Sequence, residues 1–91
     1  MKHAGAATLA QMEPLLMRLR SIQGLVERRP GIFYLRGRAF LHFHEDPAGV
    51  FADVRLDGVE FRRLALPSSE FEPFARRVAA AVEVLTAKRS G

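Results

Sequence analysis

Between positions 32 and 66 the chain divides into four short runs in which apolar and polar residues alternate, with glycine or proline at the breaks. Successive strand side chains point to opposite faces, so this pattern buries one face of a sheet and offers a helix no continuous stripe. The runs are 32–36, 38–44, 50–56 and 59–66. In the second, Ala39, Leu41 and Phe43 fall on one face and Phe40, His42 and His44 on the other. The third sets Val50, Ala52, Val54 and Leu56 against Phe51, Asp53 and Arg55. Gly37 marks the first turn, and Glu45-Asp46-Pro47-Ala48-Gly49 reads as a longer hairpin loop. Asp57-Gly58 predicts a two-residue hairpin with Leu56 and Val59 as paired neighbours, because both turn residues tolerate positive φ. The fourth run changes parity between Phe61 and Leu64, which predicts a β-bulge at Arg62-Arg63.

On either side of this stretch the period lengthens. Leu9, Met12, Leu15, Leu16, Leu19 and Ile22 recur at three- and four-residue steps, the signature of an amphipathic helix. Thr8 with Gln11 fits a capping box; Glu13 as cap with Pro14 in the first helical position is the alternative start, and Gly24 the stop. After Pro67, Ser69 with Glu72 fits a second capping box, followed by a stripe of Phe71, Phe74, Val78, Ala81, Val82 and Leu85. The expected fold is α+β: a four-stranded antiparallel β-meander with an N-terminal and a C-terminal helix packed on one face, in the order α-β-β-β-β-α. Residues 1–91 form a single domain, with 1–7 and 89–91 expected to fray.

Composition narrows the functional classes. With 48% apolar residues in 91, the chain has material for one core and little for the walls of a deep cleft. The absence of cysteine excludes disulfides, thiolate metal sites and cysteine nucleophiles, and points to the cytoplasm. No apolar run reaches transmembrane length, so no membrane partner is expected. The net charge of +4 is concentrated outside the sheet: positions 32–66 carry five basic and five acidic residues. A neutral sheet argues against nucleic acid.

The sheet face opposite the helices is the expected ligand or partner surface. Tyr34, Phe40, His42, His44, Phe51, Asp53 and Arg55 are expected there. Clustered aromatic residues on such a face suggest a homodimer contact, with Phe40 and Phe51 at its centre. His42 and His44, two positions apart on one strand, lie roughly 7 Å apart along it. With Asp46 they are the candidate metal ligands, but metallo-hydrolases with a His-x-His-x-Asp spacing need several further ligands from distant segments, and the remaining histidine, His3, falls in the tail expected to fray. No metal or cofactor is therefore expected. No phosphate loop or nucleophile elbow occurs, and no catalytic residue is assigned. The leading expectation is a homo-oligomeric or small-ligand-binding module. A nucleic-acid-associated module and a metal-dependent enzyme using the His42/His44 strand are the alternatives.

Residues 24–63 also carry a resemblance. The segment Gly24-Leu25-Val26-Glu27-Arg28-Arg29-Pro30 and the run from Phe33 through Gly37-Arg38 to Phe40-x-His42-x-His44 resemble the small bacterial luciferase-like domain family. That family shares an aromatic strand, a Gly-Arg turn and an F-x-H-x-H strand; its later tryptophan-bearing strand has no counterpart here. There is a weaker similarity to MmcQ/YjbR-type proteins. The resemblance implies that the His42/His44 strand belongs to a recurring pattern, and it implies no reaction.

Overall fold

The computed structural model describes residues 1–87. In chain order they form β1 (Lys2–His3), α1 (Ala6–Gln11), α2 (Glu13–Arg20), β2 (Leu25–Arg29), β3 (Ile32–Leu35), β4 (Arg38–Asp46), β5 (Gly49–Val54), β6 (Arg62–Ala65), a 3-10 turn (Ser68–Glu70) and α3 (Phe71–Ala87). The architecture is α+β with an antiparallel sheet, as expected, but the sheet has six strands. Five run in the order β2-β3-β4-β5-β6, and β1 pairs with β4. The two additional strands are β1 and β2. β2 escapes pattern reading because Glu27, Arg28 and Arg29 break the alternation. Arg28 is bulged out between the Glu27–Phe33 and Arg29–Ile32 pairs. Charged residues and a bulge on an outer strand discourage further strand pairing.

Two-residue turns set the register of the first three hairpins. Pro30-Gly31 joins the Arg29–Ile32 pair, with Gly31 at φ +76°. Arg36-Gly37 joins Leu35 to Arg38, with both turn residues at positive φ (54° and 80°), the type I′ arrangement that matches strand twist. β4 and β5 run to an Asp46–Gly49 pair, so the loop between them is Pro47-Ala48 and shorter than expected.

The fourth hairpin departs from expectation. Asp57-Gly58 does turn the chain, with the Gly58 amide donating to the Arg55 carbonyl at 2.9 Å. However, Asp57 Oδ1 accepts from the Val59 and Glu60 amides at 2.8 and 3.0 Å. Those amides are thereby removed from any ladder, so Leu56 and Val59 are not paired. β5 ends at Val54 and β6 begins at Arg62, leaving residues 55–61 as a loop. The predicted bulge at Arg62-Arg63 is also absent: pairing runs in regular steps from Val54–Arg62 to Phe51–Ala65. The parity change arises because Val59 and Phe61 lie outside the strand, exposed at 68% and 41%.

A bulge does occur in β4. Phe33 pairs with Leu41 and Tyr34 with Ala39, so Phe40 is the extra residue. It leaves the expected outer face and is buried in the core beside Leu41. The remaining inner positions, among them Phe33, Phe43, Ala52 and Val54, pack with Leu15, Leu16 and Leu19 of α2 and Phe74, Val78 and Val82 of α3. The Phe43 and Phe74 rings meet edge-on with centroids 6.5 Å apart. Glu72 ties the helices together by pairing with Arg18 of α2 as well as Arg76. Glu72 is thereby engaged elsewhere than in the expected Ser69/Glu72 capping box, and a 3-10 turn with Pro67 as its cap precedes α3.

The N-terminal region is ordered differently from the expectation of a frayed tail and one helix. Met12, at φ −95° and ψ 7°, separates α1 from α2, and Pro14 occupies the first turn of α2, where its missing amide is not needed. Thr8 caps nothing; its hydroxyl donates to Glu45 of β4. The expected fraying of 89–91 lies outside the described residues. No helix is long and apolar enough to cross a membrane among the described residues.

Candidate metal centre

β4 is flanked on one edge by β5 along its outer half. On its other edge β3 pairs only as far as His42. The vacated edge beyond that point is taken by β1, with Lys2 opposite Glu45 and His3 opposite His44. The Ala4 amide extends the ladder by donating to the Phe43 carbonyl at 3.0 Å. Glu45 fastens this short segment from two directions, accepting from the Thr8 hydroxyl and pairing with the Lys2 ammonium at 3.8 Å.

Directly opposed residues share a face, so His3 joins His44 on the side of the sheet away from the helices, and alternation places His42 there too. The ring centroids are 4.7 Å apart for His3–His44, 4.9 Å for His42–His44 and 5.7 Å for His3–His42. One ring nitrogen from each lies within 4.8 Å of the other two. His42 Nδ1 and His44 Nε2 are 2.9 Å apart. Two ligands on a tetrahedral zinc ion, each about 2.0–2.1 Å from the metal, are separated by about 3.3 Å, so the His42–His44 edge is close to a ligand edge. His3 is exposed, its ring lying against those of His42 and His44.

Carboxylate and guanidinium groups line the adjacent flank. Asp53 pairs with both His42 and Arg63 across the sheet. Its Oδ2 lies 3.1 Å from His44 Nε2. Arg63 grips the same carboxylate in a fork, Nε to Oδ1 at 2.8 Å and Nη2 to Oδ2 at 2.9 Å. The Arg63 guanidinium holds the Asp53 carboxyl below the usual carboxylate range. Burial, reinforced by the neighbouring His44, lowers the pKa of His42, which keeps its imidazole neutral and available as a ligand near pH 7. Phe61 closes another side: its ring stands edge-on to His42 at 5.0 Å, while the Arg55 guanidinium lies 4.6 Å over it.

Of the residues expected on this face, His42, His44 and Asp53 are brought together. Phe51 is half-buried opposite His44 and Ala65. Tyr34 lies further out, with the Arg28 guanidinium 4.6 Å above its ring. Arg55 follows the end of β5 and donates from Nε to the Ala39 carbonyl at 2.9 Å. Phe40 is absent from the face, being drawn inward by the bulge. Asp46 is not in the cluster either; its Oδ1 accepts the Ala48 amide at 2.8 Å at the β4–β5 turn. His3, Arg63 and Phe61 were not anticipated. Only Arg63 left a signal, since a regular β6 register places it across from Asp53.

Neither a protein-family model, nor a curated protein, nor a solved structure matches the chain.

Proposed function

We propose that this domain binds a divalent transition-metal ion, with zinc as the reference ion, through His3, His42 and His44. The observation that carries the reading is the convergence of three imidazole nitrogens from strands far apart in sequence. Three imidazole ligands suit zinc and its neighbours in the first transition row. They also leave a coordination position open, the arrangement zinc uses when it exchanges water or a ligand. Asp53, held by Arg63, flanks that position as a hydrogen-bond acceptor or a fourth ligand. The resemblance noted for residues 24–63 is compatible with this reading, since its F-x-H-x-H strand is the one that supplies two of the three ligands.

Calorimetric titration with zinc tests it. One ion per chain is expected, and His44→Ala should weaken binding at least tenfold. At a free zinc concentration one hundred times the Kd, the stabilisation is about 2.7 kcal/mol, which raises Tm by roughly 10–20 °C in a domain of this size. A Tm unchanged between excess zinc and chelator would sink the proposal.

A second reading, association of two copies through this sheet face, is favoured by the exposure of Val26 and Phe61, 53% and 41%. Burial of Phe40 removes one of the two rings first expected to drive it, and with it one stacking platform for nucleic acid. Sedimentation with zinc and with chelator separates the readings: a dimer in both conditions supports copy-to-copy association, and a monomer in both excludes it.

A further inference from the structure

We propose a second binding site, for a small organic carboxylate with an apolar body, in the pocket where the β3–β4 turn, the loop after β5 and the end of α3 meet. The pocket encloses about 170 Å³. Leu35, Phe40 and Leu85 contribute apolar lining, and Arg36, Arg38 and Arg55 bring three positive charges. No acidic residue lines it among the described residues.

Some arginines elsewhere in the fold are matched by acidic partners. Arg18, Arg20 and Arg63 each pair with a carboxylate. At the pocket, Arg36 Nη2 donates to the Thr86 carbonyl at 3.1 Å and Arg55 to the Ala39 carbonyl. Each of these engages a backbone oxygen, which does not neutralise the guanidinium, and donors are left over on both forks. Among the described residues the Arg38 guanidinium has no ion-pair partner.

Backbone conformation supports a reason for this placement. Arg36 is the one non-glycine residue at positive φ among the described residues, at 54°. The first position of a type I′ turn favours asparagine, aspartate or glycine, so an arginine there sacrifices turn stability to put its guanidinium beside the pocket.

The ligand class follows from shape and charge. Guanidinium forks match a carboxylate in plane and charge, and the apolar lining accepts a short acyl or aryl body. The volume is below the 300 Å³ or more of sites for drug-sized ligands, which limits the body to a short one. The site contains none of the three histidines; Arg55, which also lies over Phe61 beside His42, is its link to the metal centre, so the ligand is titrated with metal removed.

Octanoate is the probe, titrated into the chelator-treated protein by calorimetry and by amide NMR. One saturable site is expected, with shifts at Leu35, Arg38 and Leu85. Octanamide, with the same body and no charge, should bind at least tenfold more weakly. Arg38→Gln and Arg36→Asn should each weaken octanoate about tenfold; asparagine suits the positive φ, so the second variant keeps its fold. Absence of saturable binding at millimolar octanoate, equal binding of octanamide, or full affinity in both variants would each overturn the proposal.

Discussion

Glu45→Ala tests whether the metal centre depends on docking of the N-terminal segment. β1 is held by two register pairs and the Ala4 amide bond, too little for a two-residue strand to be robust on its own. Glu45 adds the Thr8 hydroxyl bond and the Lys2 ion pair. A hydrogen bond to a charged group contributes about 1.5–3 kcal/mol, and a surface ion pair about 0–1. The Glu45 side chain is 19% exposed and that of Lys2 79%, so solvent screening places the sum near the low end, about 1–2 kcal/mol. Apparent affinity scales with the fraction of chains in the competent state, which converts this to a zinc Kd raised about 5–30-fold once the docked form is no longer dominant.

The assay pairs zinc calorimetry with hydrogen exchange at Ala4. The variant should exchange Ala4 faster without zinc and recover protection with it. Its Tm without metal should move by only a few degrees, since the side-chain bonds of Glu45 reach only Lys2 and Thr8 of the N-terminal segment. An unchanged Kd alongside accelerated exchange would refute the reasoning, because His3 would then be docked in the structure without being a ligand.

Other consequences follow from the same geometry. Gly31→Ala should lower Tm: the left-handed conformation alone costs a non-glycine residue about 1–2 kcal/mol, and the new Cβ would stand 2.8 Å from Leu9 Cδ2. Phe40→Ala should cost about 3–5 kcal/mol in denaturant unfolding, and Phe40→Glu should leave the chain unfolded, whereas an interface role would leave a folded monomer. The metal-free protein should lose stability on acidification. His42 titrates below its usual value of about 6.5 in the fold, so the unfolded chain takes up that proton first. Its contribution is complete above about pH 6.5 and is lost as pH falls through that value toward the folded pKa; the Asp53 contribution follows below about pH 3.8. His42→Asn should flatten the upper part of this profile in melting curves recorded from pH 7 to 5.

The sequence was most informative where periodicity and packing agree. The stripes of α2 and α3 and the inward positions Leu41, Phe43, Ala52 and Val54 follow directly from spacing. It misled where a local hydrogen bond competes with the ladder. The Asp57 carboxylate takes two amides that an ideal hairpin would have paired, and a propensity argument for Asp-Gly does not register that competition. The parity conflict within residues 59–66 is real, but no bulge answers it. Val59 and Phe61 resolve that conflict by leaving the sheet, while Phe40 creates another that alternation alone hides. Phe40 and Leu41 both face inward because a bulge lets two consecutive residues oppose one partner.

His3 shows why the site itself was harder to read than the fold. Nothing in Lys2-His3 predicts a strand, since two residues have no period. What docks them is a vacancy on β4, created because β3 stops pairing at His42 while β4 continues to Asp46. The difference in strand length exposes backbone donors and acceptors on one edge of β4, and an unpaired edge recruits whatever chain is near. Glu45 then selects the register by reaching Lys2 and Thr8 together, and that register sets His3 opposite His44. The third imidazole is thus a product of a length mismatch between two strands about thirty to forty residues along the chain from His3 and one part-buried carboxylate, a tertiary effect with no local signature. The same logic explains why Asp46 fails as a ligand despite its proximity in sequence: it ends the strand, and its carboxylate is committed to the Ala48 amide that closes the turn.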